Sequence, residues 1–241
     1  MTTVIAMWSG PRNLSTAMMR SFGARLDCDV MDEPFFAPFL KASGKAHPGR
    51  EETLLKHDID PYRVSELCAS PKTKKPYSFQ KHMPHHMLPE FPMDWAVNAK
   101  HFFLIREPAR VIASYAKGRE QFDLEDLGFA SQKRLFDSLA DMMGKAPPVI
   151  TCADVLNAPK TILSRLCESI NIPFTEDMLS WAKGARPEDG AWAPYWYGSV
   201  QASEGFGSPP STIPNLSKTQ KAMAEACQQD YLHLMAHRIS I

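Results

Sequence analysis

The sequence predicts an α/β fold, with a mainly parallel central sheet in a three-layer α/β/α arrangement. The first observation is that short runs with the length of buried strands recur along the chain, at residues 4–8, 28–31, 77–82, 101–105 and 149–152. The second is that segments with helical spacing lie between most of these runs. Strands that are separated by helices pair in parallel, because the crossover returns the chain to the same end of the sheet.

The composition indicates one large domain with a substantial core and no excess of charge. Of the 241 residues 44% are hydrophobic, and 27 basic residues balance 27 acidic ones. This balance removes any general argument for binding nucleic acid or an anionic membrane. The five cysteines are scattered without C-x-x-C spacing, which favours reduced thiols in a cytoplasmic protein. We find neither a signal-peptide pattern nor an apolar run of about 18 residues, so we expect a cytoplasmic protein that does not cross a membrane.

The first predicted strand leads into a turn of the kind that binds phosphate. Residues 4–8 are apolar, residues 9–14 read Ser-Gly-Pro-Arg-Asn-Leu, and a helix begins at Ser15 or Thr16. This order brings main-chain N–H groups and the positive end of a helix dipole to one point. Arg12 adds a full charge and a planar fork of donors. The alternative is an ordinary strand, turn and helix with a surface arginine.

The turn differs from the phosphate loop of ATPases. That loop has a second glycine followed by lysine immediately before the Ser or Thr. Here Gly10 is followed by four residues and then by Ser15 and Thr16, without that glycine or lysine. An ATPase is therefore not favoured.

The same turn resembles the 5′-phosphosulfate loop of sulfotransferases, which is written P-[KR]-S-G-[TS]-T. The matching positions are Pro11, Arg12, Ser15 and Thr16. Asn13 and Leu14 stand where the family has Ser and Gly, and glycine is the residue that lets a backbone approach a phosphate closely. The resemblance implies that residues 11–16 bind the donor 3′-phosphoadenosine 5′-phosphosulfate (PAPS).

Two carboxylates follow the second predicted strand, at the edge where parallel α/β sheets bind ligands. Asp32 and Glu33 either contact a ligand there or are exposed carboxylates beside a turn. Residues 32–76 are an excursion from the sheet, in which we expect helices at residues 51–56 and 61–69.

Three histidines close to the third predicted strand are candidates for a site. A metal site at His82, His85 and His86 is disfavoured, because Pro84 opposes a helix through them and no cysteine or nearby carboxylate completes a ligand set. We therefore expect no metal. On the residues alone, a histidine at a strand end is most simply a structural hydrogen-bonding group.

The run from Gln80 to Pro84 resembles the K-[TS]-H-[LF]-P segment of cytosolic sulfotransferases, in which the histidine is the general base. His82 takes that position. Gln80 stands where the family has lysine, and Lys81 is displaced by one residue. The resemblance implies that His82 accepts a proton from the acceptor, a task that suits neutral imidazole at neutral pH.

The strongest segment is residues 101–117, a buried strand followed by a helix. Arg106 leaves the end of the strand, Pro108 suits the first helical turn, and Ser114 lies eight residues after Arg106. The segment resembles the family's 3′-phosphate motif, R-[ND]-P-x-D-[VA]-x-x-S-[YF], in which the Arg and the Ser bind the 3′-phosphate of PAPS. The alternative is an ordinary βα unit with a surface arginine.

The C-terminal third is less specific. Helical spacing predicts helices near residues 135–143, after Pro159 and over residues 217–237. Cys152 stands where the family often has a tyrosine that contacts adenine. Residues 184–214 are loop-rich and aromatic, typical of a lid, an acceptor wall or a dimer surface. By faint resemblance to the family's R-K-G-x-x-G-x-W loop, Lys183 and Arg186 are candidate phosphate ligands.

Together these motifs predict a single PAPS-dependent sulfotransferase domain over residues 1–241, with residues 32–76 beside the acceptor. Its product would be adenosine 3′,5′-bisphosphate (PAP), its acceptor a small-molecule hydroxyl or amine, and its partners neither nucleic acid nor membrane, with a homodimer left open. Lys81 or Arg12 would stabilise charge on the transferring group. A P-loop kinase or other phosphotransferase and a non-catalytic nucleotide-binding protein are the alternatives.

Overall fold

The protein is described by a computed structural model that covers residues 2–119 and 121–239. Within these residues five strands form one sheet in the order β2-β3-β1-β4-β5. The strands are β1 (Thr3–Ser9), β2 (Cys28–Asp32), β3 (Tyr77–His82), β4 (Lys100–Ile105) and β5 (Val149–Thr151). The predicted α/β class with a parallel central sheet is confirmed.

Helices occupy most of the connections between the strands. The α-helices are α1 (Ser15–Gly23), α2 (Phe36–Ser43), α3 (Arg50–Lys56), α4 (Pro61–Ala69), α5 (Pro108–Tyr115), α6 (Leu124–Leu127), α7 (Phe129–Met143), α8 (Cys152–Asn157), α9 (Pro159–Ser169), α10 (Ala193–Trp196), α11 (Gly198–Gln201) and α12 (Lys218–Met235). Short 3₁₀ helices span Pro84–His86, Asp94–Asn98 and Glu176–Leu179. No helix in the described ranges is long and apolar enough to cross a bilayer.

The strand order identifies the place where a ligand is expected. β1 and β4 are neighbours, yet the chain leaves β1 towards β2 on one side and leaves β4 towards β5 on the other. Such a reversal opens a crevice at the carboxyl ends of the two strands, where α/β proteins bind ligands. The loop after β1 contains Arg12, and Arg106 is the first residue after β4.

The chain divides into two compact units. The first comprises the chain up to Met7 together with Thr16–Lys100 and Thr175–Phe206. Its core includes β1 and α1, and the rings of Phe22 and Phe79 stack at 4.3 Å. Burial of large apolar side chains of this kind is the main favourable term in folding.

The second unit comprises Trp8–Ser15, His101–Phe174 and the chain from Gly207 onward. Its core includes the fully buried residues of β4 and the inward faces of α5, α7 and α9. α12 packs against α5 and α7. The N-terminus of α12 is closed by a capping box, in which Ser217 and Gln220 exchange hydrogen bonds between side chain and main chain.

Three elements differ from the expectations. α2 was not expected, because Pro38 interrupts the segment, but Pro38 lies in the first helical turn, where no main-chain donor is needed. Cys152 begins α8 instead of ending β5, since Thr151 caps that helix by accepting from the N–H of Asp154. The aromatic segment contains the short helices α10 and α11.

Candidate functional site

The loop between β1 and α1 has an unusual backbone. Arg12 and Leu14 have φ angles of 63° and 61°, the left-handed region that side chains other than glycine seldom adopt. Residues in alternating right- and left-handed conformations turn successive N–H groups towards one point, which makes a concave site for an anion. Strain of this kind costs about 1–3 kcal/mol per residue and concentrates at functional sites.

Leu14 adopts the conformation that the corresponding glycine of the phosphosulfate loop can reach without strain. Leucine in place of glycine therefore raises the free energy of this backbone conformation, but the loop still adopts it. Here the surrounding contacts, and not the residue type, hold the loop in place.

Those contacts come from the end of β4 and the start of α8. Arg106 Nη1 donates to the main-chain oxygen of Arg12 at 2.7 Å, and the thiol of Cys152 donates to the main-chain oxygen of Asn13 at 3.0 Å. Asn13 Nδ2 donates to the oxygen of Leu104 at 3.4 Å. In a planar trans peptide the N–H points opposite to the C=O. Fixing the two carbonyls of Arg12 and Asn13 therefore directs the next two N–H groups away from β4 and α8.

Two guanidinium groups accompany the loop. Arg12 Nε donates to Ser114 Oγ at 3.0 Å, so the loop and the last turn of α5 are joined. Burial lowers the pKa of Arg12, and the neighbouring charge of Arg106 lowers it further. Within the described residues neither guanidinium forms an ion pair with a carboxylate. A half-buried pair of like charges without a counter-ion is suited to bind an anion with more than one charge.

The start of α1 adds to this positive region. Ser15 is the first residue of the helix and is buried, and its first turn contains no acidic residue. The first N–H groups of a helix have no partner within it and its dipole is positive at this end, so the start of α1 favours an anion. The structure thus joins Arg12, Arg106 and Ser114 through hydrogen bonds, and their role as phosphate ligands stays a prediction.

The predicted base, His82, lies at the end of β3 in the first unit. Its Nε2 is 3.1 Å from Gln80 Oε1, and Gln80 Nε2 donates to the main-chain oxygen of Cys68 at 2.8 Å. The imidazole stacks on the indole of Trp95 with ring centres 4.9 Å apart. His82 is thus part of a buried, ordered arrangement.

Lys81 lies between Gln80 and His82 in β3, so its side chain lies on the opposite face of the sheet. Its Nζ donates to Asp32 Oδ1 at 2.8 Å, Glu33 Oε1 at 2.5 Å and the hydroxyl of Tyr197 at 2.6 Å. Burial alone would lower the pKa of Lys81, but the two carboxylates outweigh it and raise the pKa well above its ordinary value. All three N–H groups are engaged, so these contacts give no support to the predicted role of Lys81 at the transferring group, which stays a prediction.

Asp32, the last residue of β2, is buried and the side chain of Glu33 is only 11% exposed, so the alternative of two exposed carboxylates beside a turn is wrong. Asp32 pairs with Lys81 in the register of the parallel strands β2 and β3, which brings the two side chains together. Burial raises the pKa of Glu33, and the ammonium of Lys81 offsets part of that rise. Glu33 also has a φ of 42°, a strained value for a non-glycine residue.

The aromatic segment is anchored at its beginning by polar contacts within the first unit. Arg20 of α1 forms a buried ion pair with Asp189, and the N–H of Gly190 donates to Asp32 Oδ2 at 3.1 Å. The hydroxyl of Tyr197 donates to Asp32 Oδ2 at 2.6 Å. Residues 189–197 are therefore tied to β2, β3 and α1, and the function of residues 184–214 as a lid stays a prediction.

The predicted ligands of this segment have other partners. The side chain of Lys183 is 60% exposed and forms an ion pair with Glu204 at 3.2 Å. Arg186 Nη2 donates to the main-chain oxygen of Ala182 at 2.8 Å. The roles of Lys183 and Arg186 as phosphate ligands stay predictions. In the part of the chain that the structure describes, no group of three or more His, Cys, Asp or Glu residues is arranged to hold a metal ion.

The sequence motifs do not reveal the side chains that support the loop after β1 and His82. Cys152 was considered only as a departure from a tyrosine, whereas its thiol fixes the loop. Gln80 was considered only as a missing lysine, whereas its amide contacts His82. The i, i+2 spacing of Gln80 and His82 on a strand was the available signal, because alternate residues share a face.

Known proteins resemble this chain both in sequence and in structure. A family model described as a sulfotransferase domain matches residues 3–236. A curated relative from Arabidopsis thaliana, named branched-chain-amino-acid aminotransferase-like protein 1, is 41% identical over 214 residues, or 88% of this chain. The chain spans 38% of the length of that relative.

Solved structures agree on the fold. A sulfotransferase from Alicyclobacillus acidocaldarius is 12% identical with a TM-score of 0.56, and the match covers 100% of this chain and 98% of that chain. A mouse sulfotransferase complexed with PAP is 11% identical with a TM-score of 0.54, and the match covers 98% of this chain and 89% of that one. At such identities the similarity establishes the fold alone.

Proposed function

Since this chain belongs to the sulfotransferase domain family, we propose that it moves a sulfuryl group from PAPS to a hydroxyl or amine of a small-molecule acceptor and leaves PAP. The observation that carries this proposal is the pair Arg12 and Arg106. Both guanidinium groups adjoin a loop of anion-binding shape, and in the described residues neither is neutralised by a carboxylate.

The donor set fits a ligand with phosphate groups at two positions. The N–H groups of residues 13–16 and the Arg12 side chain would hold the 5′-phosphosulfate. Arg106 and Ser114 would hold the 3′-phosphate. Ser114 already accepts from Arg12 Nε, so its hydroxyl hydrogen is available to donate to a phosphate oxygen. Bidentate contacts of arginine to phosphate are charge-assisted and short, and they fix the ligand's orientation.

In the proposed transfer, an acceptor oxygen or nitrogen forms a bond to sulfur while the bond from sulfur to the bridging phosphate oxygen breaks. The acceptor's proton passes to His82, and the electron pair of the broken bond stays on the phosphate of PAP. Arg12 would stabilise the negative charge on the leaving phosphate oxygen. PAPS supplies the activated sulfuryl group, and the chain supplies binding, orientation and the proton acceptor.

The two alternatives make different demands. A kinase would use Mg²⁺ and a lysine in the loop, and this loop contains Arg12 and no lysine. This chain would be non-catalytic if the departures from the motifs at Leu14, Gln80 and Cys152 had abolished the site. Leu14 keeps the left-handed conformation, Cys152 fixes the loop, and Gln80 contacts the base, which favours a site that has been modified and not lost.

The decisive first test is thermal unfolding over a concentration series of PAP, of AMP, and of ATP with Mg²⁺. At 100 times Kd a ligand that binds only the folded state adds about 2.7 kcal/mol, which is a rise in Tm on the order of 5–10 °C for a chain of this size. We expect that rise with PAP and much less with AMP, which lacks the 3′-phosphate, and with ATP. No shift with PAP at millimolar concentration would reject the site.

A transfer test then addresses turnover. The wild-type protein and His82→Ala are incubated with sulfur-labelled PAPS and pools of phenols, alcohols and amines. Loss of a general base costs roughly 10²–10⁴-fold in rate. We therefore expect His82→Ala to lose that factor while it still binds PAP, and equal turnover in the two proteins would remove His82 from the base assignment.

A further inference from the structure

We propose that Gln80 is a positioning residue for His82. It keeps the ring proton on Nε2 and so makes Nδ1 the nitrogen that takes the acceptor's proton. This inference rests on the proposed function for its consequence in catalysis. Its structural part concerns which ring nitrogen carries the proton, and that can be measured without turnover.

The direction of the hydrogen bonds follows from the partners. The main-chain oxygen of Cys68 can only accept, so the group of Gln80 that faces it at 2.8 Å must be the amide nitrogen. The amide oxygen of Gln80 therefore faces His82, at 3.1 Å from Nε2. An amide oxygen can only accept as well, so Nε2 must be the donor. In neutral imidazole the other nitrogen, Nδ1, then carries no proton, and its lone pair is the basic one.

Packing keeps the ring in this orientation. Gln80 and His82 are 0% and 1% exposed. The imidazole stacks on Trp95 and lies 6.0 Å from the ring of Phe35, measured between ring centres. A ring rotated by 180° would present carbon to the Gln80 oxygen. A buried acceptor left without its donor destabilises the folded state, so the observed orientation is preferred.

The identity of residue 80 decides which nitrogen is basic. A lysine ammonium has donors and no acceptor, so a lysine that contacted Nε2 would require the electron pair of His82 there. Glutamine presents an oxygen instead and requires the opposite tautomer. Because Lys81 leaves β3 on the other face, it does not take over this contact. In this chain the replacement of lysine by glutamine thus assigns the proton-accepting role to Nδ1.

The test is the nitrogen-15 NMR spectrum of the histidine side chains at a pH where His82 is neutral, with its signals assigned by their loss in His82→Asn. We expect a single tautomer with the proton on Nε2 in the wild-type protein. Gln80→Met, which has a similar volume but no acceptor, should give a mixture of the two tautomers.

The same variants are compared for PAP binding and turnover. Gln80→Met should lower kcat by tenfold or more, up to the full effect of losing the base, with the Kd for PAP unchanged. Cys68→Ala is the matched control, because it disturbs local packing but keeps the carbonyl that holds Gln80, and its tautomer and kcat should match the wild type.

The outcomes separate this inference from the proposed function. A wild-type His82 that is protonated on Nδ1, or that shows both tautomers, overturns the role of Gln80 whether or not PAP binds. Absence of PAP binding overturns the proposed function and leaves the tautomer result standing. If Gln80→Met does not fold, the wild-type spectrum still decides the question, because a proton on Nδ1 overturns the role of Gln80.

Discussion

Arg106 Nη1 donates to the main-chain oxygen of Arg12 at 2.7 Å, although 94 residues separate the two positions. Arg12 in turn donates from Nε to Ser114 Oγ, so one chain of contacts joins the loop after β1, the end of β4 and α5. The sequence motifs assign Arg12 to one phosphate and Arg106 to another. In the structure the second arginine also shapes the loop that carries the first, and substitutions at Arg106 should therefore affect both ends of the ligand.

The first prediction concerns Arg106→Lys. Lysine keeps the charge but cannot donate to the Arg12 oxygen and to a phosphate in the planar, forked geometry of a guanidinium. Loss of one charged hydrogen bond of about 1.5–3 kcal/mol corresponds to a PAP affinity roughly 10- to 150-fold weaker. Isothermal titration measures it. Arg110→Lys is the control, because Arg110 lies four residues further along, in α5, and donates to the oxygen of Thr212 instead.

Inorganic phosphate or sulfate gives a second measure of the same variant. If Arg106 acts on the loop as well as on the 3′-phosphate, Arg106→Lys should also weaken the stabilisation by inorganic sulfate in thermal unfolding. A variant that loses PAP affinity but responds to sulfate as the wild type does would show that the contact with Arg12 is without consequence for the loop.

The second prediction concerns the strained Leu14. Leu14→Gly should keep or strengthen PAP binding, because glycine reaches a φ of 61° without strain. Leu14→Val should weaken PAP binding and lower the free energy of unfolding, since a β-branched residue in this region is a genuine outlier. Urea unfolding and PAP titration of both variants are the measurements. Equal PAP affinity in the glycine and valine variants would show that the loop does not need this conformation to bind.

Much of this architecture can be predicted from the sequence, and the reasons are physical. β4 and α5 follow from an apolar run, Pro108 and helical spacing, which are local signals. Arg106 and Ser114 both contact Arg12 because they lie on consecutive elements whose geometry is fixed by their connection. The loop of Arg12 is recognisable for the same reason.

The contacts between distant segments were not predictable in this way. Lys81 meets Asp32 only because β2 and β3 pair in a particular register, and nothing near either residue specifies that register. Tyr197 joins the same cluster from a segment more than a hundred positions further along the chain. The general lesson from Lys81 is that a charged residue in a motif-like position can be neutralised by partners that only the fold reveals.

The third prediction follows from that cluster. Lys81→Met leaves Asp32 and Glu33 buried without their cation, which should cost about 3–5 kcal/mol of unfolding free energy. Tm should fall by on the order of 6–20 °C. Lys81→Met combined with Glu33→Gln should recover part of the loss, because one of the uncompensated charges is then removed. Both are measured by thermal unfolding.

Turnover of the same variant separates structure from chemistry. If Lys81 serves only the cluster, the Lys81→Met protein should retain PAP affinity and most of its transfer rate at a temperature well below its Tm. A rate that falls by 10²-fold or more in folded protein, with PAP affinity kept, would instead return Lys81 to the transferring group.

The fourth prediction is a loss of stability at alkaline pH that originates in buried thiols. Burial raises the pKa of Cys28 to about 12 and that of Cys227 to about 11, and it also raises the pKa values of Cys68 and Cys152. An unfolded thiol titrates near pH ~8.5. Because the folded pKa values are raised, the unfolded state releases protons first. The contribution is therefore fully present below pH ~8.5 and is lost as the pH rises towards the folded values.

The link between proton release and unfolding sets the size of this loss of stability. Between pH ~8.5 and the folded value, each such thiol removes about 1.4 kcal/mol of unfolding free energy per pH unit. Urea unfolding with reductant at pH 7.5, 8.5 and 9.5 measures the slope, below the range where unfolded tyrosine titrates. Cys28→Ala should make the unfolding free energy depend less steeply on pH, by the contribution of one proton. It should also lower the unfolding free energy at pH 7.5. An identical slope in the wild type and Cys28→Ala would show that the Cys28 thiol does not stay protonated through burial.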